Sequence, residues 1–157
     1  MRERVLRVAV VLAAALAASG CIDDMVQDAF YPSMSDAVAD GAIRRGWIPD
    51  WVPAGATRLR EVHEVDASMS ALAFDLPAGA EWPLPPHCRP IRASQAAPQR
   101  LERPWWPEPQ EMARDHDVFQ CQAPPGSTYD EFVARRRDGA GGLHWRGWSP
   151  GPDERSK

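Results

Sequence analysis

Cysteine is scarce in this chain. Its 157 residues hold three, Cys21, Cys88 and Cys121, which excludes a small fold packed with disulfides. Positive charge is scarce too. The formal net charge is −4 and Lys157 is the sole lysine, so the basic face that non-specific nucleic-acid binding requires is missing. Only one long apolar run exists, Val8–Ala18. At about 1.5 Å per helical residue it falls well short of a hydrocarbon core roughly 30 Å thick. Phosphate-loop chemistry has no motif either: Gly139-Ala140-Gly141-Gly142 lacks the Lys-Ser/Thr continuation. No G-x-S-x-G elbow and no H-E-x-x-H pair occurs. Sixteen prolines and eleven glycines argue against a long helical bundle. The length suits one domain, and no cofactor is expected.

What is present begins with a targeting pattern. Arg2, Arg4 and Arg7 precede the apolar run, and small residues follow it, which describes a secretory signal peptide over 1–20. The run ends Leu16-Ala17-Ala18-Ser19-Gly20-Cys21. That resembles a bacterial lipobox, with Ala18 in the usual leucine position, and implies lipid (palmitate) on Cys21. Cleavage near Ala17 or Ala18 with a free Cys21 thiol is the alternative. If Cys21 carries lipid, Cys88 and Cys121 remain as one pair in an oxidising compartment; two separate buried thiols are the alternative. Ile22, rather than Asp, follows Cys21, which favours the outer membrane over the inner. The expected location is the bacterial envelope, facing the periplasm.

Without residues 1–20 the chain is more acidic, with net charge −6, and poor in aliphatics: Leu, Ile, Val and Phe are 21 of 137 residues. All seven tryptophans lie in this part. Each can bury on the order of 200 Å², so a small tryptophan-rich core stapled by Cys88–Cys121 is expected.

The acidic stretch 21–32 reads as lipidated cysteine and spacer, 33–148 as a single α+β domain, and 149–157 as a disordered tail. Ser35 caps an expected helix over Asp36–Arg45 that Gly46 stops, with Val38, Ala42 and Ile43 as its buried stripe. Thr57–Val65 alternates, with Leu59, Glu61 and His63 on one side, and pairs with Met69–Leu76 in a hairpin. Pro77–Pro90 holds five prolines and reads as loop or sheet edge. Asp117–Ala123 reads as a strand. Thr128–Arg137 is contested between a helix, favoured by Ser127 and Asp130 as a capping box, and a hairpin of Phe132–Arg137 with Leu143–Trp148. The hairpin is preferred. The expected fold is a small antiparallel sheet of four or five strands with one or two short helices and Pro-rich loops.

Two residue sets carry candidate chemistry. His63, Asp66 and His116, with Asp117, offer imidazole and carboxylate for a metal such as Zn²⁺; the simpler reading is a His63–Asp66 hydrogen bond within the turn. Trp105 and Trp106, set between Pro104 and Pro107, form either an aromatic platform for a ligand or part of the core. Glu61, Glu64, Asp66, Asp115 and Asp117 read as surface charge.

The segment Gly46-Trp47-Ile48-Pro49-Asp50-Trp51-Val52-Pro53, followed by His63-Glu64-Val65-Asp66, resembles a group of small bacterial lipoproteins of unknown function. Their pattern is G-W-[LI]-P-x-x-[LV]-P with a later H-x-x-D. Trp105-Trp106-Pro107 and Leu143-His144-Trp145-Arg146 are similar to further shared elements. The resemblance implies an envelope location and a small α+β domain, and implies no catalytic residue. The function expected is that of a non-enzymatic, monomeric envelope lipoprotein. It would be held to the membrane by its lipid and would contact a protein or other envelope component. The alternatives are a module binding a small ligand or glycan through Trp105 and Trp106, and a metal-dependent enzyme.

Overall fold

A computed structural model describes residues 25–66 and 68–148. The signal peptide, Cys21 and the tail 149–157 lie outside the described residues. Seven strands form one antiparallel sheet. They are β1 (Val26–Ser33), β2 (Thr57–Glu64), β3 (Ser70–Asp75), β4 (Cys88–Ile91), β5 (His116–Cys121), β6 (Tyr129–Arg136) and β7 (Gly141–Trp148). Their order across the sheet is β1-β2-β3-β7-β6-β5-β4. The α+β class and the disulfide stand, but the sheet is larger than four or five strands.

The two extra strands are both edges. β1 lies in the stretch expected to be spacer, so the ordered fold begins by Val26 rather than residue 33. Of its eight side chains only Tyr31 is buried, which is why its sequence shows no strong apolar alternation. β4 emerges from the proline-rich stretch and carries Pro90, tolerated because an edge strand has one unpaired side. Cys88 and Cys121 are cross-strand partners in the β4–β5 register and are disulfide-bonded.

Among the described residues two short α-helices accompany the sheet, α1 (Met34–Asp40) and α2 (Pro109–Asp115), with a 3-10 turn at Ala93–Gln95. α1 is capped by Ser33, not Ser35: the Asp36 amide donates to the Ser33 hydroxyl at 3.3 Å, and the Ser33 amide donates to the Asp36 carboxylate at 3.0 Å. Gly41, at φ 82°, ends the helix five residues before Gly46, since that left-handed turn costs glycine nothing. Arg45 therefore leaves the helix, and its side chain returns to the Asp40 carbonyl at 2.7 Å. Val38 is exposed and Met34 and Ala37 form the buried stripe of the helix, while Ala42 is buried and Ile43 packs on the core from beyond the helix end. No helix among the described residues is long and apolar enough to cross a membrane.

The sheet is covered on both faces. Strand alternation puts Leu59, Leu72, Phe74 and Val133 on the first face, beneath Ile48, Val52 and Trp82 from the connections after α1 and β3. It puts Val62, Ala71, Val118, Phe132 and Trp145 on the second, beneath Met112, Trp105 and Trp106. This explains the contested segment. Phe132, Val133 and Ala134 are consecutive and all buried, because a strand covered on both sides has no polar face and so no period of two.

Candidate functional site

The second face carries the main cleft. The chain from Ala97 to Pro109 crosses this face as a proline-stiffened strap, and Trp145 in β7 fastens it by donating its indole N–H to the Ala97 carbonyl at 2.8 Å. Between the strap and α2 lies a cleft of about 690 Å³, lined by Pro98, Gln99, Pro104, Trp106, Met112 and Trp145 among others. Trp106 is half-buried and meets Trp145 edge to face, with ring centres 5.4 Å apart. Trp145 in turn stacks on Phe132 at 5.2 Å. The aromatic wall is thus rooted in the core, with Trp106 and Trp145 both lining the cleft.

Polar groups sit at defined places around it. Arg103 forms a two-pronged ion pair with Asp28 of β1, at 2.6 and 2.7 Å. That contact ties the strap to the edge strand and holds the Asp28 carboxyl below the usual carboxylate range. Gln99 donates to the Leu101 carbonyl at 2.5 Å, while its amide oxygen is buried with no partner. Glu102 and Glu108 line the rim. An aromatic wall, rigid prolines and a few fixed polar groups are the usual composition of a binding cleft. Trp105 is also half-buried but does not line it. Of the two tryptophans singled out from sequence, Trp106 alone faces the space.

The first face holds a buried polar cluster. Glu61 and His63 project from the same side of β2, only 1% and 5% exposed, and His63 Nδ1 lies 3.0 Å from the Glu61 carboxyl. Trp47 stacks on the imidazole with ring centres 4.0 Å apart, and the Arg45 guanidinium covers the outer face of Trp47 at 4.0 Å. Burial pushes the Glu61 pKa up to about 8, with the Asp28 charge adding to the rise and Arg146 and Arg45 opposing it. Burial, with Arg45 reinforcing it, lowers His63. At neutral pH the pair is therefore uncharged overall, with one proton shared between carboxyl and Nδ1. His144 lies in the same cross-sheet row as Glu61 and Leu72. It is fully buried against Trp51, has no partner for either ring nitrogen, and is lowered to about 3 by burial. These groups can hold a proton internally, and each is at most 5% exposed.

The metal trio does not come together. His63 bonds to Glu61, not to Asp66, which stands exposed in the turn after β2. His116 starts β5, with three strands between it and β2 in the sheet order. Four inter-strand steps of about 4.8 Å separate the two strands, and strand parity sends His63 and His116 to opposite faces. No group of three His, Cys, Asp or Glu that could hold a metal occurs among the described residues. The Glu61–His63 pair was half legible, since alternation placed both beside Leu59, but its burial was not. The cleft walls Pro98, Gln99 and Met112 carried no sequence signal beyond the density of proline.

A family model described as the YbbD head domain matches residues 25–75, about a third of the chain. The match runs from the residue before β1 to the end of β3. It contains the Glu61–His63–Trp47 cluster and leaves out the strap and Trp106. No curated protein and no solved structure matches the chain.

Proposed function

We propose that this chain is a non-enzymatic binding module of the bacterial cell envelope, lipid-anchored at Cys21 and favouring the outer membrane, which holds an extended segment of an envelope protein in the Trp106 cleft. The observation that carries this reading is the cleft itself: a half-buried indole backed by Trp145, beside walls of Pro98, Pro104, Pro107 and Pro109. Stiff aromatic and proline-lined grooves suit extended peptides, whose pre-ordered backbone loses little entropy on docking. The lipobox-like Leu16–Cys21 and the similarity of Gly46–Pro53 to small lipoproteins support the location. A glycan is the second reading, favoured by an unpartnered Gln99 oxygen in the wall of a cleft that Trp106 also lines.

A photo-crosslinker placed at Pro107 in intact cells tests this. The expected result is one dominant protein adduct, reduced roughly tenfold by Trp106→Ala, as for an aromatic hot spot. An adduct unaffected by that change, or none, overturns the peptide reading. An adduct with saccharide shifts it to the glycan. Cys21→Ser should release the protein from membranes; unchanged membrane association would overturn the anchor.

A further inference from the structure

We propose that the corner of the domain formed by Met25 and Val65 rests in the interface of the bilayer that carries its lipid, so that the domain is held at the membrane in one orientation. The proposal rests on lipidation at Cys21. It follows from where the fold begins. Residues 21–32 read from sequence as a loose spacer, but β1 starts at Val26, so only four residue steps separate Cys21 from Met25. Fully extended they reach about 14 Å. The domain cannot stand farther off than that, and its start must face the lipid.

The chemistry at that start fits. Met25 and Val65 are 40% and 57% exposed and are joined by a 2.9 Å hydrogen bond from the Val65 amide to the Met25 carbonyl. Val26 pairs with Glu64, so the two apolar side chains share one corner of the sheet. An exposed apolar side chain by itself needs no explanation; two fixed together within a short tether of an acyl anchor are in position to be covered by lipid. The anchor supplies affinity, and the corner supplies direction. Glu64 and Asp66 flank the pair, so the surface that fits is one of uncharged or zwitterionic headgroups. Anionic lipid would repel it. Val38, 59% exposed, lies on α1 beyond the opposite end of β1, and seven strand steps put that end about 23 Å from the corner.

The test uses the mature lipidated protein in phosphatidylcholine vesicles. With Cys21 acylated and Cys88–Cys121 bonded, a cysteine introduced by Val65→Cys or Val38→Cys is the one thiol open to an environment-sensitive fluorophore. At position 65 the expected result is blue-shifted emission, quenched roughly twofold by phospholipids brominated on their chains. At position 38 the expected emission is that of water, without quenching. Met25→Cys replaces Val65→Cys if the latter does not fold. Protein that floats with the vesicles yet reports water at both positions overturns the proposal and leaves the anchor intact. Protein that never floats overturns the anchor, and the proposal with it.

Discussion

At Glu61 the chain places a carboxyl where water does not reach, and the consequence is a stability that depends on pH. The unfolded chain releases this proton near 4.5, whereas burial keeps it in the folded chain up to about 8. Between those values the unfolded state binds fewer protons, so stability from Glu61 is complete below about pH 4.5 and is lost as pH rises through 8. The imidazoles act in the other direction. His63 and His144 are lowered from 6.5, His144 to about 3, so their contribution is present above 6.5 and is lost as pH falls. Maximum stability is expected on the acid side of neutral, between about 4.5 and 6.5. Glu61→Gln keeps the shape and removes the titration. It should leave stability at pH 5 within about 1 kcal/mol and raise it at pH 8.5 by about 2 kcal/mol, less than the full shift because an ionised Glu61 can accept from His63 Nδ1–H. Urea denaturation at the two pH values measures this. Parallel pH profiles for the two proteins would show that Glu61 does not titrate across the range.

Among the elements, β4 is the least supported by its own residues: four residues long, at the edge, with Pro90 lacking a donor. Its attachment is the Cys88–Cys121 bridge across 33 positions, and closing a loop of that size stabilises by about 3–4 kcal/mol in the chain-entropy model. Cys88→Ala with Cys121→Ala should cost about 3 kcal/mol in chemical denaturation. Hydrogen exchange should increase first in β4 while β3 and β7 stay protected; a loss under about 1 kcal/mol would mean that sheet pairing alone holds the edge. How legible each element was follows the same physics. β2 and β3 were readable because Leu59, Glu61 and His63 alternate with their neighbours and turn residues separate the two runs. β1 was not, because Tyr31 alone is buried, and a strand that buries one side chain leaves almost no pattern. β6 looked helical at its start because Ser127 and Asp130 mimic a cap, and two-sided burial erased its alternation. The metal trio failed for a non-local reason. Strand order and face, which separate His63 from His116, are decided by pairings that no local window contains.

Among the described residues the molecule is one sheet with two covers. The first draws on both sides of residue 75, with Ile48 and Val52 before it and Trp82 after it, whereas Trp105, Trp106 and Met112 over the second face all come after it. Residues 25–75, the part that matches the YbbD head domain model, supply β1 to β3 and α1. Inside this chain they are not self-sufficient. β3 pairs with β7 along five residues, from Ala71–Trp145 to Asp75–Gly141. Phe74 meets the edge of Trp82 with ring centres 5.0 Å apart, and Val62 and Ala71 share a cluster with Phe132 and Trp145. Cut at residue 75, the fragment would expose the backbone edge of β3 together with Leu72 and Phe74, which are buried in the whole. An unpaired apolar edge of that kind recruits other chains. The second half fares no better alone, since β7 would lose β3 and His144 would lose the Trp51 ring that packs against it. The fragment 25–75 is therefore expected to show no cooperative thermal transition and to aggregate. The fragment 25–148 should melt in one step within a few degrees of the full chain. Circular dichroism melts with light scattering on both fragments decide it. A soluble 25–75 with a sharp transition would make the matched segment an autonomous unit and the strap, with its Trp106 cleft, an addition to it.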